Sequence, residues 1–101
     1  MGKKINILVV DDNVELTDLL WEHIDKHNDM KVVGAASDGL EAVEMIDALT
    51  PDVVILDIIM PNLDGLGVLE RFQTGKCRVR PIFIVLSAIG NDLFIRKAIS
   101  L

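Results

Sequence analysis

Short apolar runs alternate with stretches of helical periodicity along the chain. Ile5 to Val10 (INILVV) is apolar except for Asn6 and predicts a central parallel strand. From Asn13 to His27, Leu16, Leu19, Leu20 and Ile24 recur at helical spacing, and Asp12 with Glu15 three residues on is a variant of the capping-box pattern. Asn28-Asp29 breaks that helix. Lys31 to Ala36 (KVVGAA) predicts a weaker, edge-type strand, because it carries Gly34. Asp38 with Glu41 is a second cap pattern, and Leu40, Val43, Ile46 and Leu49 give a second amphipathic helix, ended by Thr50-Pro51-Asp52.

Val53 to Leu56 is a fully apolar, mostly β-branched run that predicts a buried strand, and it stops abruptly at Asp57. Pro61 ends regular structure, and Asp64-Gly65 reads as a turn and cap feeding a third helix to about Thr74, with Leu66, Leu69 and Phe72 on its inner face. A loop, basic at Lys76, Arg78 and Arg80, leads to another buried strand, Ile82 to Leu86, with Ser87-Ala88 at its carboxyl end. Asn91 can cap a fourth helix over Asp92 to Leu101, with Phe94, Ile95, Ala98 and Ile99 apolar. The order βαβαβαβα predicts a parallel sheet with helices on both faces, joined by right-handed crossovers.

Composition narrows this picture. A chain of 101 residues, half of them apolar, forms one domain around its own core. The net charge of −6 argues against nucleic-acid binding by this segment alone. The single cysteine, Cys77, excludes a disulfide framework within the chain and a cysteine zinc site, and reads as a surface thiol. No apolar run approaches the roughly 20 residues of a membrane helix, and the N-terminus lacks signal-peptide character. A cytoplasmic domain without membrane contact is expected. His23 and His27 lie four apart and could bind a metal in principle, but positions near the Leu16/Leu20 face predict partly buried or helix-end residues.

The strand ends carry the chemistry. The first strand delivers Asp11 and Asp12, the third Asp57 and the fourth Ser87. In parallel α/β sheets the carboxyl ends of the strands are where ligands collect. If these strands are neighbours, three carboxylates and a hydroxyl converge. Clustered carboxylates repel one another unless a cation joins them, and oxygen donors suit a hard ion such as Mg²⁺. A carboxylate beside such an ion can attack phosphorus and become an aspartyl phosphate.

Together, Asp11-Asp12, Asp57 with Pro61 and Asp64-Gly65, and Ser87-Ala88 resemble the receiver domains of two-component response regulators over the whole chain. LDIIMPNLDGLGVLERF at 56–72, VDDNVEL at 10–16 and SAIG at 87–90 resemble most closely the receivers of sporulation regulators of endospore-forming bacteria. The resemblance implies a flavodoxin-like three-layer α/β sandwich with strand order 2-1-3-4-(5). It implies Asp57 as the phosphoacceptor, and Asp12, Asp57 and the backbone carbonyl of Ile59 as metal ligands. Asp11 binds the metal directly or through water, and the Ser87 hydroxyl turns towards the phosphoryl group. Mg²⁺ is the expected ion, with Mn²⁺ or Ca²⁺ able to substitute. The donor implied is a phosphohistidine-bearing phosphotransferase or histidine kinase. A homodimer is expected, as is DNA binding only through a separate C-terminal domain. The family's fifth strand ending in Lys-Pro, its aromatic switch residue and its fifth helix are expected to be missing from residues 1–101, and Lys97, within the fourth helix, does not replace that lysine.

Other readings share parts of the pattern. A flavodoxin-like FMN binder would repel its phosphate at Asp11 and Asp12. A dehalogenase-type phosphatase would carry a second acid where Ile59 stands. A receiver-derived dimerisation module without phosphorylation is the remaining alternative. With strand five missing, Ile82 to Leu86 is expected at an open edge, pairing with a second copy, by exchange of the last helix if the chains swap.

Overall fold

The computed structural model describes residues 4–57, 65–73, 81–89 and 92–98. The elements run β1 (Ile5–Val10), α1 (Val14–Asp25), β2 (Met30–Ala36), α2 (Gly39–Leu49), β3 (Val53–Asp57), α3 (Gly65–Gln73), β4 (Ile82–Ile89) and β5 (Asp92–Ala98). The sheet order is β2-β1-β3-β4-β5. The first four strands are parallel, as a flavodoxin-like three-layer sandwich requires.

Alternation along the strands divides the interior in two. On one face, Leu8, Val10, Val54, Leu56 and Phe83 pack with Ala42, Val43 and Ile46 of α2 and Val68 of α3. On the other, Ile7, Val9 and Val32 pack with Ile24 of α1. Gly34 lies just past a register shift in β2 and lets α2 close on the sheet, for a Cβ there would stand 2.6 Å from Met45 Cε and 3.1 Å from Leu49 Cδ1. β2 is an edge strand, as its composition predicts.

The C-terminal segment departs from expectation. Residues 92–98, read as the start of a fourth helix, form β5, antiparallel to β4, with Ile89 opposite Asp92 and Ser87 opposite Phe94. The reason is visible in sequence: two strand-forming runs are separated only by Gly90-Asn91, a pair typical of two-residue hairpins. Lys97 therefore lies in a strand, opposite Ile84. β4 is not the open edge expected, because β3 and β5 pair with its two sides. It also runs to Ile89, so Ser87 lies within the strand and not past its end.

Two smaller readings change. Leu19 and Leu40, expected on inner faces, are 63 % and 57 % exposed. His23 and His27 are both exposed, which fits helix-end residues and not partly buried ones. The readings of Ile59, Pro61, Asp64, Asn91, Cys77 and the basic positions Lys76, Arg78 and Arg80 lie outside the described residues. Among the described residues no helix is long and apolar enough to cross a membrane.

Candidate metal and phosphoacceptor site

β1 and β3 are hydrogen-bonded neighbours, with Val10 opposite Leu56. The next residue on each chain is an aspartate, so Asp11 and Asp57 emerge side by side at the carboxyl edge of the sheet. Asp12 follows at once. One carboxylate oxygen from each of Asp11, Asp12 and Asp57 lies within 4.8 Å of the others. Asp11 is buried, Asp57 half-buried and Asp12 exposed, so the cluster opens to solvent on one side.

The turn into α1 holds this arrangement. The Asp11 N–H donates to the Ala36 carbonyl at 3.0 Å, tying the site to the end of β2. Asp11 Oδ1 accepts from the Asn13 N–H at 2.8 Å. Asn13, not Asp12, is the N-cap: its side chain accepts from the Leu16 N–H at 3.2 Å. Thr17 Oγ1 donates back to the Asn13 carbonyl at 3.0 Å. The capping duty that could have explained Asp12 thus falls to its neighbour. At α2 the expected cap is present, with Asp38 accepting from the Glu41 N–H at 2.8 Å and Glu41 accepting from the Ser37 N–H at 3.2 Å.

Burial pushes the Asp11 carboxyl above the usual carboxylate range; the Asn13 N–H pulls it back, and the charges of Asp57 and Asp12 raise it further. Three converging carboxylates form an all-oxygen donor set that can coordinate a divalent metal ion, and such an ion would relieve their repulsion. Ser87 lies on β4, one residue past Leu86, which pairs with Asp57. Sequence reasoning did not single out the open cavity of ≈ 210 Å³ beside the cluster, lined by Asp11, Val14, Thr17, Asp18, Ser37 and Glu41 among others. Val14, 67 % exposed, is an apolar member of this lining at the start of α1.

The model of the response regulator receiver domain matches residues 7–101. The chain belongs to this family. Its members act by accepting a phosphoryl group themselves, not by turning over a substrate. The response regulator domain of Thermotoga maritima CheB is 46 % identical, with a TM-score of 0.73 over 82 % of this chain and 61 % of that one. The chain thus spans less than two thirds of that relative's length. A chain of the CheX–CheY–BeF3–Mg²⁺ complex from Borrelia burgdorferi is 33 % identical, with a TM-score of 0.71 over 88 % of this chain and 66 % of that one. The receiver domain of Francisella response regulator 1452 is 28 % identical, with a TM-score of 0.73 over 85 % and 68 %.

Proposed function

We propose that this receiver takes a phosphoryl group on Asp57 and uses it to switch the association of a larger regulator. The observation that carries the reading is the convergence of Asp11, Asp12 and Asp57 on one point at the carboxyl edge of the sheet. An Asp57 carboxylate oxygen forms a bond to phosphorus while the bond from phosphorus to the donor's imidazole nitrogen breaks. Asp11, Asp12 and Asp57 would hold Mg²⁺, or Mn²⁺ or Ca²⁺ in its place, with the Ile59 carbonyl as the further ligand that the family resemblance implies. When bound, that ion neutralises charge on the phosphoryl oxygens. The Ser87 hydroxyl donates to one of those oxygens. The Borrelia relative, crystallised with BeF3 and Mg²⁺, supports this reading of the oxygen-donor set.

The donor is a phosphohistidine on a phosphotransferase or histidine kinase, seated over the acidic edge and the start of α1, where the cavity and Val14 lie. The protein is cytoplasmic and works as a homodimer, with DNA contacted through a separate domain. The motif at 56–72 supports a finer assignment, a receiver like that of the sporulation master regulator, stage zero sporulation protein A.

Acetyl phosphate with Mg²⁺, followed by intact mass measurement, tests the site. One phosphoryl group should be added, only with the cation, and Asp57→Asn should take none. Full labelling of Asp57→Asn overturns the assignment, and an unlabelled wild-type chain favours a dimerisation module without phosphorylation.

A further inference from the structure

The only two histidines of the chain, His23 and His27, stand together at the far end of α1 from the acidic cluster. α1 has 12 residues, so at about 1.5 Å per residue roughly 18 Å of helix separates the two places. His23 is in the last turn, and His27 continues it, its N–H donating to the Ile24 carbonyl at 3.0 Å. Both rings are exposed, with centroids 6.4 Å apart and planes at 65°. Of the two expectations, partly buried or helix-end, the second holds, and exposure leaves the rings to solvent and to each other.

We infer that His23 and His27 form a chelating pair for a borderline transition-metal cation of the zinc class. Three observations converge. His27 lies one residue past the C-cap Lys26, and its bond to the Ile24 carbonyl carries the turn on, so its ring stands 6.4 Å from that of His23, close enough for two imidazoles to share one ion. Imidazole nitrogen binds zinc at about 2.0–2.1 Å, and rings this close need only side-chain rotation to bring two nitrogens to that distance. The ion would sit at the C-terminal end of the helix, where the helix dipole favours positive charge. The two sites differ in kind: the acidic cluster offers only oxygen to a hard ion, whereas this pair offers nitrogen. With two protein ligands and water completing its shell, the ion is held loosely and clamps the last turn of α1.

Calorimetric titration with Zn²⁺, with Mg²⁺ in excess to occupy the acidic cluster, tests the pair. One equivalent should bind, and ¹H–¹⁵N spectra should show both imidazoles shifting together. His23→Ala and His27→Ala, both exposed and compatible with folding, should each weaken binding about tenfold or more, while Asp57→Asn should leave it unchanged. No zinc binding by the wild-type chain overturns the inference. Affinity unchanged in both histidine variants, or lost in Asp57→Asn, does the same.

Discussion

Asp11 is the residue at which folding and function pull in opposite directions. It is 6 % exposed, and burial with two neighbouring carboxylates raises its pKa above the ordinary 3.8. A carboxyl whose folded pKa is raised binds its proton more tightly in the fold than in the unfolded chain. The contribution of Asp11 to stability is therefore fully present below 3.8 and is lost as pH rises through the higher folded value. Asp11→Asn keeps an oxygen to accept the Asn13 N–H and removes the charge. In calorimetry without divalent cations it should raise the neutral-pH melting midpoint by a few degrees, and the gain should vanish below the ordinary carboxylate pKa. A variant less stable than wild type at neutral pH would contradict this account. The sequence showed that Asp11 and Asp12 belong together, but not which residue caps α1. Asp12 and Asn13 can both do so, and the bond from the Asn13 N–H to Asp11 settles the choice at the next residue.

At the scale of elements, helix ends and strand ends were legible to different degrees. The end of α2 at Thr50 was predicted from Thr50-Pro51-Asp52, but its conformation was not. Thr50 is the C-cap with φ 44° and ψ 58°, and its N–H donates to the Ile46 carbonyl at 2.9 Å. A β-branched residue is strained in this left-handed region, which glycine occupies without cost. Thr50→Gly should stabilise the chain by about 0.5–1 kcal/mol in urea unfolding, the relief of strain outweighing the greater freedom of the unfolded chain. A loss of stability would show that the Thr50 side chain contributes more than its backbone costs. Periodicity failed at β5 because Phe94, Ile95 and Ala98 suit a helix, whereas Gly90-Asn91 and the preceding apolar run suit a hairpin. Pairing with β5 also satisfies the backbone groups that an open outer side of β4 would leave without partners.

For the whole molecule, the four parallel strands and the helices between them followed from the alternation of apolar runs with helical periodicity. The convergence of Asp11, Asp12 and Asp57 followed from aspartates placed just where those runs stop. What the pattern lacked was the surroundings of each helix face. A helical stripe says which side is apolar but not whether anything covers it, and so Leu19 and Leu40 were placed too deep. The position of Ser87 on β4, next to the strand that ends in Asp57, frames the switch. A phosphoryl group adds nearly two negative charges and new acceptor oxygens, and a hydroxyl donated to it favours one of two arrangements of the β4 end. Ser87→Ala should still be phosphorylated but should lose most of the phosphate-driven dimerisation that sedimentation of the wild-type chain is expected to show. Equal dimerisation in the variant would refute the coupling.

Asp57 itself is expected to carry the phosphoryl group. An acyl phosphate, unlike a phosphate ester, is cut by borohydride, which leaves the reduced alcohol in place of the aspartate side chain. The chain would be treated with acetyl phosphate and Mg²⁺, reduced, digested and sequenced by tandem mass spectrometry. The reduced residue should stand at position 57 alone, and only in samples that received the cation. Reduction at Asp11 or Asp12, or the same yield without any divalent cation, would contradict the account.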